Sequence, residues 1–107
     1  MRVFCGERLI ADKVMLADSF YKRFIGLMGR KSLRTGAGLL LINCGAIHTF
    51  FMRMTIDAVY LSREFKVLGV ETLKPWRLGG MYKGSAHVLE LKGCSVCLKP
   101  GEQLKIT

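Results

Sequence analysis

The sequence predicts an α+β, mainly β fold: an antiparallel sheet curled into a partly open barrel or sandwich, with one short amphipathic helix. Three observations carry that expectation. Short runs rich in Val, Ile, Leu and Phe recur at strand length, separated by Gly, Pro, Asp and Ser, the pattern of strands joined by turns. Only the stretch after Ser19 repeats its apolar residues convincingly at helical spacing. Finally, 107 residues, half of them hydrophobic, suffice for one core and leave no room for a second. Residues 1–107 are therefore expected to form a single domain.

Taken in order, Val3 to Cys5 and Leu9 to Leu16 read as two strands around Gly6. Asp18 or Ser19 is a natural N-cap, because its side-chain oxygen accepts from a backbone amide that the first helical turn leaves unpaired. Phe20, Phe24, Leu27 and Met28 then follow at helical spacing. The helix is expected to run to about Met28 with that stripe in the core, and Gly29 to end it in the left-handed conformation. Residues 35–38 (TGAG) are turn-prone, and Leu39 to Ile42 is an apolar run of strand length. Val59 to Leu61 and Val67 to Val70 flank SREFK as a hairpin. Pro75, Gly79, Gly80 and Gly84 mark a long loop. Val88 to Leu91 and Leu104 to Ile106 supply the closing strands, with Pro100-Gly101 turning between them. No internal repeat or low-complexity segment interrupts this order.

Mean hydropathy of +0.28 separates the chain from the low-hydrophobicity signature of disorder. The opening residues lack the basic and apolar regions of a secretory signal, and Asn43, Gly45 and His48 break the apolar run at 39–52 well short of a membrane span. A soluble, cytoplasmic, monomeric protein is expected. The net charge of +9 is unevenly spread. Between Ser19 and Ile56 there is no carboxylate, while Lys22, Arg23, Arg30, Lys31 and Arg34 form a basic patch with Arg53 further on. Such a patch attracts a small anionic ligand or phosphate backbone, or simply solubilises a face.

The stretch Asn43 to Asp57, NCGAIHTFFMRMTID, concentrates the chemistry. Cys44, His48 and Met52 are spaced by four, which would suit a metal only on a helix. Gly45 and the run Thr49, Phe50, Phe51 favour extended chain, where a step of four spans about 13 Å and scatters the three. Strand parity from Phe50 to Leu61 puts Met52 and Met54 on a core face and Arg53 and Asp57 on the other. His48 then has two readings, a satisfied histidine near the core or a ligand or acid-base group. Candidate binding residues are His48, Thr49, Arg53 and Asp57, together with Trp76 and Arg77 on the long loop. Glu90 reads as an ion-paired or solvent-facing residue within a strand.

The segments GLMGRKSL (26–33), GLLL (38–41), IHTFFMRMTIDAVYL (47–61), LKPWRLG (73–79), VLEL (88–91) and PGEQL (100–104) resemble the small bacterial and archaeal family known as domain of unknown function 192. The resemblance spans nearly the whole chain. It implies a compact β-rich fold with a short helix, and it implies no activity. Thr55 stands where that family usually has proline before Ile-Asp, and KGCSVCLK (92–99) replaces the usual small-residue helix.

Within that segment Cys94 and Cys97 form a CxxC, a weak metal or dithiol candidate because no second CxxC accompanies it. No metal or cofactor is therefore expected. No nucleophile elbow, phosphate-binding loop or dinucleotide fingerprint is present. Three function classes follow: a non-enzymatic binding or accessory domain with a polar site near residues 48–57, an enzyme using His48, Arg53 and Asp57, and weak non-specific nucleic-acid binding through the basic region.

Overall fold

Glycine and its surrogates at positive φ set most of the corners of this fold. Gly6, at φ +62°, turns the chain between β1 (Val3–Cys5) and β2 (Arg8–Ala11). The computed structural model describes all 107 residues, Met1–Thr107. The run expected as one strand to Leu16 breaks at Asp12, because the amides of Asp12 and Lys13 both donate to the Gly36 carbonyl (2.9 and 3.0 Å). β2 thus stays with β1, and β3 (Lys13–Ala17) starts a different sheet.

Ser19 caps helix α1 (Phe20–Ile25), its Oγ accepting from the Lys22 amide at 3.2 Å. The helix ends three residues before Met28, since Gly26 adopts φ +50° and donates its N–H to the Lys22 carbonyl. The aromatic stripe is not core: Phe20 is 79% and Phe24 57% exposed, and of the expected stripe only Leu27, beyond the helix, is buried. With six residues the helix is too short to turn a full apolar face inward.

The remaining strands are β4 (Ala37–Leu41), β5 (Ile56–Leu61), β6 (Val67–Leu73), β7 (His87–Lys92) and β8 (Leu104–Ile106). They assemble into a three-stranded sheet, β2-β1-β8, and a five-stranded sheet, β3-β4-β7-β5-β6, neither closed into a barrel. The pairs are antiparallel except β3 with β4, which run parallel from Lys13↔Ala37 to Ala17↔Leu41. A parallel pair requires a crossover, and α1 with the loop to Gly36 supplies it. The extended strand expected from Phe50 is confined to β5. Phe51 sits at φ +64° and the Met52 amide bonds back to the Thr49 carbonyl, so residues 49–52 form a turn.

Every residue of β5 is buried, and alternation divides them between the two faces of the large sheet. Val59 and Leu61 join Leu40, Leu89 and Leu91, covered by Val3, Ala11 and Leu104 of the small sheet. Ile56, Ala58 and Tyr60 join Leu39, Leu41 and Val88 beneath Leu27, Leu33 and Met52. The first face is a sandwich of two sheets, while irregular chain and one short helix close the second. No helix is long and apolar enough to cross a membrane.

Candidate ligand pocket

The second face does not close completely. A pocket of about 240 Å³ remains between α1 with residues 26–28 and the segment 44–52, with Leu41 and Glu90 also in its wall. Ten of its fourteen lining residues are hydrophobic, Cys44 among them, and its polar side chains are Arg23, His48 and Glu90. β7 alternates across the sheet, so Glu90 shares the face of Val88 and meets the pocket rather than solvent. The side chain expected to be exposed or ion-paired is only 3% exposed and carries no salt bridge. Its Oε1 has no hydrogen-bond partner.

Physical chemistry assigns the state of that carboxyl. Burial without a compensating donor disfavours the charged form and pushes its pKa up to about 8, so Glu90 is mostly the neutral acid at pH 7. Burial likewise raises the Cys44 thiol, which hydrogen-bonds the Ala46 carbonyl at 3.2 Å. Gly26 abuts this wall: a Cβ there would lie 3.9 Å from Glu90 Oε1. Arg23 donates to the Ile42 carbonyl at 3.1 Å and makes no salt bridge with Glu90.

His48 stands in the pocket wall, half-buried. Its Nδ1 accepts from the Phe50 amide at 3.1 Å, which leaves the proton of a neutral ring on Nε2. The ring stacks on Phe50 at 5.0 Å and meets Phe24 edge-on at 6.5 Å. Thr49 is fully buried and joins two loops: its Oγ1 donates to the Lys74 carbonyl (2.6 Å) and accepts from the Arg77 amide (2.8 Å). Trp76, at φ +65°, and Arg77 are exposed at the same junction, with the Trp76 ring 4.7 Å from Phe51.

Arg53 and Asp57 do not meet. Arg53 is exposed and in no salt bridge, whereas Asp57 is 2% exposed on the opposite face of the sheet from Glu90. The Asp57 carboxylate accepts from Thr72 Oγ1 (2.7 Å) and from the amides of Cys94, Ser95 and Val96 (2.9, 3.0 and 3.2 Å), fastening the turn that follows β7. Cys94 and Cys97 are free and exposed, and no three His, Cys, Asp or Glu side chains cluster as metal ligands. Within the basic patch, Lys22, Arg30, Lys31 and Arg34 are exposed and Arg34 lies 3.6 Å from Asp12.

Sequence reading set aside two of the pocket residues, Cys44 as a strand residue too far from His48 and Met52 to share a metal and Glu90 as ion-paired or solvent-facing. The signal for Glu90 was present but faint: a glutamate between Leu89 and Leu91 in an otherwise apolar strand is costly unless solvated, paired or protonated.

Comparison with known proteins bears on family and fold. The family DUF192, described as Uncharacterized ACR, matches residues 5–106. A UPF0127 protein of Pyrococcus horikoshii is 35% identical over 99 residues, covering 87% of this chain and 86% of that protein. One of Pyrococcus furiosus is 33% identical over 84 residues, covering 76% and 72%. Among solved structures, a protein of unknown function from Novosphingobium aromaticivorans superposes with a TM-score of 0.84 at 16% identity, covering 98% of this chain and 82% of that one. A protein of Sinorhizobium meliloti, named as a candidate transcription regulator, superposes with a TM-score of 0.79 at 22% identity, covering 97% and 89%. At those identities the two structures attest the fold alone.

Proposed function

The chain belongs to the DUF192 family of uncharacterised proteins, and since that membership brings no activity with it, we propose from the pocket that this is a non-enzymatic domain binding a small, mostly apolar molecule. The ligand carries one hydrogen-bond acceptor, which Glu90 meets as a neutral acid. One observation carries the reading: a buried, unpartnered Glu90 oxygen in the wall of an apolar cavity. An orphaned polar atom there costs about 1–3 kcal/mol, which a ligand acceptor would offset. His48 forms part of the wall, Thr49 holds the loop that carries it, and Trp76 and Arg77 flank that loop from outside. Arg53 has no part in the pocket.

Catalysis is the weaker reading. Cys44 is kept as a thiol, not the nucleophilic thiolate, and Glu90 as an acid, so neither is poised to attack or accept a proton at pH 7. His48, Arg53 and Asp57 supply no shared site, because Asp57 spends its oxygens on backbone amides on the other face.

NMR titration with paired fragments tests this. Cyclohexanone should shift amide resonances of Leu27, Cys44 and His48, and methylcyclohexane should bind roughly tenfold more weakly, the value of about one good hydrogen bond. Glu90→Leu should abolish the difference, and so should a pH well above 8. Equal binding of the two fragments, or shifts elsewhere only, would remove the assignment.

A further inference from the structure

Helix α1 buries none of its residues, yet it is aromatic at positions 20, 21 and 24. Phe20, Tyr21 and Phe24 are 79%, 72% and 57% exposed. Phe20 and Phe24 are not isolated. Phe20 stacks on Phe24, Phe24 meets His48, His48 stacks on Phe50, and Phe50 stacks on Trp76, with centroid separations of 6.4, 6.5, 5.0 and 6.0 Å. Phe51 adds to the far end, so one continuous aromatic band joins α1 to two loops. An exposed apolar surface of this extent on a small protein marks an interaction site.

Positive charge borders the loop end of the band. Arg77 follows Trp76 directly, whereas Lys22, two residues from both Phe20 and Phe24, points to the other side of α1. The Gly29 amide bonds to the Phe51 carbonyl at 3.1 Å, which sets Arg30 and Lys31 beside the band's far end, with Arg53 two residues beyond Phe51. Asp18 lies 3.6 Å from Lys22, and the chain then has no carboxylate until Asp57, which is buried.

We propose that this aromatic and basic face docks on an anionic lipid surface. Exposed Trp, Tyr and Phe rings partition into the headgroup region, and Lys and Arg around them are drawn to anionic headgroups. A second copy of the chain fits less well, since a two-fold contact would set Arg30 and Lys31 against their own images. Phe20, Phe24 and His48 of this band also line the pocket, although the docking surface stands whether or not the pocket takes a ligand.

Trp76 is the only tryptophan and reports directly on this face. Vesicles of phosphatidylcholine with about one third phosphatidylglycerol should sediment the protein, blue-shift Trp76 emission and allow its quenching by lipid-borne doxyl groups. Pure phosphatidylcholine should bind at least tenfold more weakly, and 0.5 M salt should cause a comparable loss. Phe20→Ser/Tyr21→Ser and Arg30→Glu/Lys31→Glu should each reduce binding roughly tenfold or more. Circular dichroism and melting of each variant establish folding, and none of the four residues is buried. No binding to the mixed vesicles would overturn the proposal. Unchanged affinity in the aromatic variant would do so too, as that denotes charge attraction alone. Micromolar self-association without lipid, or a Trp76 shift with an acidic polypeptide and none with vesicles, would reassign the surface to a protein partner.

Discussion

At the scale of single residues, two buried carboxylates of one sheet show how environment divides the roles of like groups. Asp57 is satisfied by four donors and acts as a clasp. Asp57→Ala should cost about 2–4 kcal/mol in urea unfolding, because it strands buried donors. Arg53→Ala should cost less than about 0.5 kcal/mol, and the two losses should add, since the side chains do not touch. A coupling above about 1 kcal/mol would mean the pair interacts after all. Glu90 is unsatisfied, and its folded pKa of about 8 stands above the ordinary 4.5. Its contribution to stability is thus fully present below pH 4.5 and is lost as pH rises through 8. Glu90→Gln should gain on the parent protein across that window, by on the order of 3–5 kcal/mol at pH 9. His87 acts in the opposite sense. Burial lowers its pKa below 6.5 while its Nδ1 accepts from the Asn43 amide, so stability falls as the medium is acidified below 6.5. Comparing Glu90→Gln with the parent at each pH isolates the glutamate. Glu90 was only faintly legible as a site in sequence, because its chemistry depends on the absence of a donor, which only the packed neighbours decide.

At the scale of elements, the weakest and the most informative piece is α1. It has a cap and a terminating glycine but no buried side chain, so local opening should cost little. Ser19→Ala removes the acceptor for the Lys22 amide and should cost about 1 kcal/mol in the helix alone. Hydrogen exchange at Lys22, Arg23 and Gly26 should accelerate several-fold while the global melt scarcely moves. The segment 43–55 is held differently, through Thr49. Thr49→Val keeps the shape but leaves the Arg77 amide and Lys74 carbonyl without their partner, and should cost about 1–3 kcal/mol while loosening both loops. Helix, N-cap and most strands were legible because each rests on local spacing. The turn at 49–52 was not: Phe50, Phe51 and Thr49 favour strand intrinsically, and tertiary bonds to Arg77 and Trp76 override that preference.

At the scale of the molecule, the ends of the chain lock together. The amides and carbonyls of Arg2 and Thr107 exchange bonds of 3.0 and 2.9 Å, and β8 pairs with β1. Leu104 of β8 is buried in the core shared by both sheets, where it packs in one cluster with Val3, Val59 and Leu61. Leu104→Ala should therefore destabilise the entire domain by about 2–5 kcal/mol, with near- and far-ultraviolet transitions still coincident. A selective loss of the small sheet would disprove that the two sheets unfold as one.

The sequence by itself determined that a mainly β fold with one short helix forms, where most of the strands lie, where the helix begins, and that positive charge gathers between Ser19 and Ile56. Those properties follow from local periodicity, turn chemistry and composition, which neighbours in sequence specify. Only the tertiary structure decided that the stripe of α1 faces outward, that β3 and β4 run parallel, and that Asp57 and Glu90 point to opposite faces. Each of these is a relation between segments distant in the chain. A side chain's burial, partner and protonation state are set by what packs against it, and strand spacing constrains only which face it takes.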